Sequence, residues 1–166
     1  MYIVKKIIIL SLIMAMSLLS ACGFHLQGKY KFSPKIKNLI ITLDEYSLFG
    51  KLLIDSFIQN GINIVNKSTD HKFAVLEINS PIISEEIHSY DSKGQVSQYR
   101  LIANCNYTLF ATDGTKLREN SITRRRIYSV NANQLLSNAN EQQVISEELN
   151  IEIVNELLKQ LSSTCS

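Results

Sequence analysis

The stretch QVSQYRLIANCNYTLFATDGTKLRENSITRRRIYSV, residues 95–130, decides the fold of this chain. Its first part, QVSQYRLIANCNYTLFA, alternates apolar and polar side chains, which is typical of a strand with one buried face. The sequence TDGT, residues 112–115, then leads into the strand KLRENSITRRRIYSV. Two long strands joined by a short glycine-containing turn predict an antiparallel hairpin that is covered on one face.

A further strand is predicted before this hairpin. Residues 73–90, FAVLEINSPIISEEIHSY, place Ala74, Leu76 and Ile78 on one face. Pro81 lacks the N–H that a central strand must donate, so it predicts a bulge or an edge position. The sequence DSKG, residues 91–94, predicts the turn into the long strand.

Residues 38–65 predict a strand, a helix and a second strand. NLIITLDE, residues 38–45, is apolar on both faces, as in a buried strand. Four apolar residues then recur at helical spacing: Leu48, Leu52, Leu53 and Phe57. Asn60-Gly61 is a helix stop, and INIV resumes as a strand. Such a crossover sets two strands parallel, with the helix on one face.

The last predicted element is a helix, VISEELNIEIVNELLKQL, which ends at Leu161. Asn138 and Glu141 before it could form a variant of a capping box. One apolar stripe runs along the helix: Ile145, Leu149, Ile153, Leu157 and Leu161. The whole pattern predicts an α+β fold, with two helices packed on one face of a mixed four- to five-stranded sheet.

The charge balance argues against one class of function. Two of the 17 basic residues lie in the first 21 positions, which leaves 15 basic against 15 acidic residues in the remaining chain. A formally neutral domain of this size is not a nucleic-acid binder by bulk charge. An anionic partner would have to meet a local basic patch.

No catalytic set, cofactor or metal site is predicted. His25, His71 and His88 each lack a second ligand at metal-binding spacing on the same element. Glu85 and Glu86 are neighbours on a strand, so they point to opposite faces and cannot act as a close pair. We therefore expect a protein that is not an enzyme.

Two cysteines, Cys105 and Cys165, leave two interpretations open. An oxidising compartment permits a disulfide between them. The alternative is two free thiols. Cys105 lies on an apolar strand face and would be buried, whereas Cys165 is next to the last residue and would be at the surface. Their positions favour this second interpretation.

The strongest electrostatic feature is the run Arg124-Arg125-Arg126. On a strand, Arg124 and Arg126 share a face with Arg118, while Arg125 points the other way. Guanidinium groups suit phosphates and carboxylates. A charged strand that discourages edge-to-edge aggregation is an equally good interpretation. Lys93, in the DSKG turn, is a second and weaker basic candidate.

The N-terminus has the order of a secretory signal. Lys5 and Lys6 precede fifteen uncharged residues, a run shorter than the roughly 20 that cross a bilayer comfortably. Leu19-Ser20-Ala21-Cys22 resembles the bacterial lipobox, which predicts cleavage before Cys22 and acylation of its thiol. An ordinary signal peptide or a signal anchor is the alternative. Gly23 stands where aspartate usually directs retention in the inner membrane, so the outer membrane is the expected destination.

These signals divide the chain into four parts. Residues 1–21 are the expected signal peptide, and residues 22–37 are a lipidated tether. Residues 38–161 are a single domain, and residues 162–166 are a tail. More than one acyl chain is needed for stable anchoring, so the expected lipoprotein is tethered to the membrane and does not span it.

Several motifs in this order resemble the LptE family of lipopolysaccharide-assembly lipoproteins. They are Cys22-Gly23-Phe24-His25-Leu26 after the signal, Leu43 before Ser47-Leu48-Phe49, the helix end Asn60-Gly61, Gly94-Gln95 followed by Tyr99, and NANEQQVISEEL at residues 138–149. The resemblance implies an outer-membrane lipoprotein, facing the periplasm or inside a barrel lumen. There it plugs the LptD β-barrel, supports its folding and helps place lipopolysaccharide in the outer leaflet.

The resemblance also implies lipopolysaccharide binding through basic residues near the hairpin loop and near the start of the last helix. Here Lys93 is one position displaced in the loop, and Ser137 and Asn138 stand at the helix start. Arg118, Arg124 and Arg126 are the substitute candidates. The alternative function is a free lipid-binding or scaffolding lipoprotein of another envelope system.

Overall fold

The long hairpin supplies the two longest strands of a mixed sheet. The computed structural model describes residue 30 and residues 32–65, 73–131 and 134–163, which form six strands and two α-helices. The strands are β1 (Asn38–Thr42), β2 (Asn63–Ile64), β3 (Ala74–Ile78), β4 (Ile82–Tyr90), β5 (Val96–Phe110) and β6 (Lys116–Ser129). The helices are α1 (Leu48–Gln59) and α2 (Leu135–Ser163), and a 3-10 turn at Pro34–Ile36 precedes β1.

Strand β5 organises the sheet because it pairs with three others. On one side it is antiparallel to β6 from Gln98 to Phe110. On the other side it pairs first with β4 and then with β3, and β3 continues through parallel pairing to β1 and β2. The predicted parallel crossover and antiparallel hairpin are both confirmed.

The sheet has one strand more than the predicted four to five, because residues 73–90 form two strands. The chain leaves the ladder between Ile78 and Ile82, where Asn79 N still donates to Asn106 O at 3.3 Å. Pro81 lies in this break, as expected of a residue without a backbone donor. Both predicted turns are present, with Gly94 at φ 78° and Gly114 at φ 79°.

The first turn of helix α1 packs closely against the backbone of Asp44. Ser47 caps the helix, and its Oγ accepts from Gly50 N at 2.9 Å. A Cβ on Gly50 would lie 2.3 Å from Asp44 O, so only glycine fits there. The helix ends at Asn60, followed by Gly61 at φ 82°, as predicted.

The predicted buried face of α1 needs one correction. Leu48 is 79% exposed, although its spacing suggested burial. The buried positions are Phe49, Leu53 and Phe57, which repeat every four residues and so lie on one face. Leu48 is the first helical residue and lies beside this face.

Helix α2 begins at Leu135, nine residues before the predicted start at Val144. Asn138 is therefore inside the helix and does not cap it. Its side chain instead bridges to the start of the loop that precedes the helix, where Oδ1 accepts from Asn131 N at 3.2 Å and Nδ2 donates to Asn131 O at 2.9 Å. These hydrogen bonds stabilise the polar first turns of α2, which the spacing of apolar residues did not predict.

One hydrophobic core lies between the helices and one face of the sheet. Strand β5 buries every second residue there: Leu101, Ala103, Cys105, Tyr107 and Leu109. Helix α2 contributes the predicted stripe, with Ile145 partly buried and Leu149, Ile153, Leu157 and Leu161 buried. Within the described residues, none of the helices is both long and apolar enough to span a membrane.

Candidate functional site

The predicted basic face of β6 exists, and it points toward helix α2. Arg118, Arg124 and Arg126 lie on the same side of the strand as the buried Ile122 and Tyr128. Strand alternation turns Arg125 to the other side. The sequence therefore assigned the faces of these arginines correctly.

Carboxylates and carbonyls of α2 bind all three arginines on this face. Arg124 Nη2 donates to Glu156 Oε2 at 2.7 Å, and Arg124 Nε lies 3.9 Å from Glu152 Oε2. Arg126 Nη2 donates to Glu152 Oε1. Arg118 Nη1 donates to Gln160 O at 2.7 Å. We call this line of contacts the α2–β6 seam.

The seam continues through neutral groups. Gln160 Oε1 accepts from Tyr107 Oη at 2.7 Å and from Asn120 Nδ2 at 2.9 Å, while Gln160 Nε2 donates to Glu156 Oε1 at 3.0 Å. This last hydrogen bond, followed by the charge of Arg124, lowers the pKa of Glu156. The ordered polar contacts fix the helix to the strand.

Lys93 lies apart from the seam. It is exposed in the β4–β5 turn, beyond the last hairpin pair Gln98↔Ser129. Asp91 Oδ1 orders this turn by accepting from Lys93 N and Gln95 N, both at 2.8 Å. The structure therefore brings together three of the four predicted binding residues and leaves the fourth at one end of the sheet.

A pocket that the sequence did not reveal lies at the start of α2. We call it the tyrosine pocket; its volume is about 410 Å³, and it is lined in part by Glu85, Tyr99, Tyr128 and Gln142. The two tyrosine rings stack with centroids 6.0 Å apart. Glu85 Oε1 accepts from Tyr128 Oη and, at 3.1 Å, from Gln142 Nε2.

Counting residues outward from the TDGT turn could have found part of this pocket. That count pairs Tyr99 with Tyr128, as the structure does. The contribution of Gln142 could not be found in this way, because α2 was expected to begin after it. Glu85 and Glu86 do point to opposite faces, with Glu86 4.0 Å from Arg100.

The face of β4, β5 and β6 that points away from the helices is largely exposed and combines a row of polar residues with exposed apolar ones such as Ile127. Its central residues are Asn104, Asn106, Ser121, Thr123 and Arg125, and we call it the open face. Thr123 Oγ1 donates to Asn104 Oδ1 at 2.6 Å, which links β6 to β5. Ile82 also lies on this face and is 74% exposed.

The histidines and cysteines considered in the sequence either form hydrogen bonds within the fold or lie outside the described residues. Arg100 Nη2 donates to His88 Nδ1 at 2.7 Å. Cys105 is a free buried thiol whose Sγ donates to Asn79 O at 3.2 Å. Cys22, His25, His71 and Cys165 lie outside the described residues. In the described part of the chain, no group of three potential metal ligands is present.

Comparison with known proteins places this geometry among envelope lipoproteins. The family model LptE, described as lipopolysaccharide-assembly, matches residues 36–161. The fold is similar to that of rare lipoprotein B from Shewanella oneidensis, with a TM-score of 0.69 and 22% identity over 76% of this chain and 95% of that one.

Two further solved structures share the fold. An uncharacterized lipoprotein B from Nitrosomonas europaea has a TM-score of 0.66 and 22% identity, over 85% of this chain and 91% of that one. A minor lipoprotein from Acinetobacter baumannii has a TM-score of 0.62 and 14% identity, over 77% of this chain and 92% of that one. At these identities the likeness is one of fold.

Proposed function

Since the chain belongs to the LptE family of lipopolysaccharide-assembly proteins, we propose that it is an outer-membrane lipoprotein that fills the lumen of the LptD β-barrel. In this position it supports the folding of the barrel and the delivery of lipopolysaccharide to the outer leaflet. Its role is structural and not enzymatic. The proposal combines the family membership with the surface chemistry of the sheet.

The open face is the observation that carries the barrel proposal. The lumen of a large outer-membrane barrel is polar, so a protein that fills it must present hydrogen-bonding groups to the wall. Asn104, Asn106, Ser121 and Thr123 supply such groups on a rigid sheet. Arg125 adds a charge on the same surface.

The expected lipid on Cys22 would keep this domain close to the membrane. Tyr30, eight residues after Cys22, is held against α2, where its Oη donates to Asn155 O at 3.4 Å. Eight extended residues span at most about 26–29 Å. We therefore propose that the tether places the side of α2 within that distance of the bilayer surface.

Lipopolysaccharide binding by the basic residues is a further part of the proposal. Lys93 is exposed, and its ammonium has no partner among the described residues, so it is open to a phosphate. Arg118, Arg124 and Arg126 are bound to α2, and a phosphate would have to displace those groups. Lys93 is therefore the candidate that the geometry favours.

Native co-purification tests the barrel proposal. The full chain, extracted in mild detergent, is expected to purify with a large β-barrel protein identified by mass spectrometry. Reversing the charge of Arg125 with Arg125→Glu should weaken this complex, whereas Lys51→Glu, on the exposed side of α1, should leave it intact. A chain that purifies alone would favour the free lipoprotein instead.

The anchor is tested separately with Cys22→Ser. We expect the variant to lose its attachment to the outer membrane and to accumulate as a precursor whose unprocessed signal holds it in the inner membrane. Normal processing with unchanged membrane attachment would overturn the lipoprotein assignment. The co-purification test of the barrel proposal does not depend on this result.

A further inference from the structure

We propose that the tyrosine pocket binds a primary ammonium group carried on a sugar ring, as in an amino sugar, with Glu85 as the counter-ion. This inference goes beyond lipopolysaccharide assembly and does not depend on the barrel partnership. It concerns the cavity of about 410 Å³ between the β4–β5 end of the sheet and the first turns of α2. Its volume lies within the range of about 300–1,000 Å³ that is typical of ligand sites.

Glu85 is an exposed carboxyl group that has no ion-pair partner among the described residues. Both hydrogen bonds to it come from neutral donors, Tyr128 Oη and Gln142 Nε2, and both reach Oε1. Oε2 has no hydrogen-bond partner in the described part of the chain. A carboxylate accepts about four hydrogen bonds, so Glu85 can bind an additional charged donor.

The two neutral donors also orient the carboxylate of Glu85. Tyr128 is only 6% exposed, so its hydroxyl is a fixed point at the base of the pocket. Gln142 fixes the same oxygen from the side of α2. Oε2 is therefore held in place before a ligand arrives, which lowers the entropy cost of binding.

Two aromatic rings complement an ammonium group beside this carboxylate. Tyr99 and Tyr128 stack at 6.0 Å between centroids, with an angle of 30° between their planes. The faces of such rings attract a cation placed within about 6 Å of a centroid. Val96 and Val130 add apolar walls that suit the C–H face of a sugar ring.

The electrostatics of the pocket oppose a phosphate. Its described lining contains no lysine or arginine. Burial, the hydrogen bond to Glu85 and the negative charges of Glu85 and Glu141 raise the pKa of Tyr128. The negative charges that contribute to this shift would repel an anion and attract a cation. The pocket thus differs in ligand class from the arginines of the seam.

A titration followed by two-dimensional amide NMR tests the proposal on the full chain in detergent micelles. The probes are glucosamine, glucose and N-acetylglucosamine, which differ in the presence of an ammonium group. We expect glucosamine to shift the amides of Gln95, Val96 and Gln142 at concentrations where the two neutral sugars do not. Equal shifts with all three sugars, or none with glucosamine, would overturn the proposal.

Two matched variants separate the charge from the fold. Glu85→Gln keeps the shape and an oxygen acceptor, and it should weaken glucosamine binding about tenfold because a charge-assisted hydrogen bond is lost. Glu86→Gln changes the neighbouring carboxylate on the opposite face and should bind glucosamine like the unaltered chain. Binding by Glu85→Gln at the original affinity would rule out Glu85 as the counter-ion.

Discussion

Arg124 in β6 donates a hydrogen bond from Nη2 to Glu156 Oε2 in α2 at 2.7 Å, across 32 positions of sequence. The side chains are only 31% and 24% exposed, so solvent screens this pair less than a surface ion pair. Arg124→Ala should therefore lower the free energy of unfolding by about 1.5–3 kcal/mol, the range for hydrogen bonds to charged groups. Urea unfolding followed by circular dichroism measures the loss.

Arg125 provides the matched control for this prediction. It is the next residue on the same strand, but it is exposed on the open face. Arg125→Ala should change stability by less than about 0.5 kcal/mol, as is usual for surface substitutions. Equal losses in the two variants would show that the seam contributes nothing specific.

The stability of the seam should depend on pH through Glu156. The Gln160 hydrogen bond and then the Arg124 charge lower the pKa of Glu156 below its ordinary value of 4.5. The unfolded chain then binds the proton more tightly, so this stabilisation is present above about pH 4.5 and is lost as pH falls through the lower folded-state pKa. Unfolding measured across this range should show a smaller acid loss in Glu156→Gln, and an unchanged profile would contradict the assignment.

Gly50→Ala should destabilise the protein, although alanine normally favours a helix over glycine by about 1 kcal/mol. The added Cβ would meet Asp44 O at 2.3 Å, and backbone cannot move aside as a flexible side chain can. We expect a loss of about 1–3 kcal/mol, the usual cost of overpacking. Thermal unfolding beside the exposed control Lys51→Ala measures it; a stabilised Gly50→Ala would show that the approach is not tight.

Cys105 should react with iodoacetamide only after unfolding. Burial raises the pKa of its thiol from 9.0 to about 12, so near pH 8 the native protein contains very little of the reactive thiolate. Peptide mass spectrometry with and without urea measures the labelling. The same experiment without reductant resolves the pairing question, because a bridge to Cys165 would keep Cys105 unlabelled even in urea.

Lys93→Ala should reduce lipopolysaccharide binding more than Arg124→Ala or Arg126→Ala. Lys93 is exposed and open to a phosphate, whereas the two arginines are bound to Glu152 and Glu156. Binding of the purified chain to immobilised lipopolysaccharide, measured at two salt concentrations, tests the order. A larger loss for the arginine variants would mean that the ligand displaces the acidic partners on α2.

Much of the sheet was predictable because strand alternation and turn residues are local signals. The hairpin of residues 95–130, the buried odd-numbered face of β5 and the shared side of Arg118, Arg124 and Arg126 all follow from period-2 patterning. The start of α2 was not predictable in this way. Its first turns are polar. Asn138 is fixed by Asn131, seven positions earlier, and Gln142 by Glu85, 57 positions earlier.

By itself the sequence determined the hairpins, the parallel crossover and the apolar faces, since these depend on residue spacing and on turns that only certain residues adopt. Only the tertiary structure decided which partners the polar side chains take. Arg124 and Arg126 bind the acids of α2, because folding sets distant segments at hydrogen-bonding distance. For the same reason Glu85 accepts hydrogen bonds from Tyr128 and Gln142 in the tyrosine pocket. Spacing along one strand carries no information about the helix that packs against it.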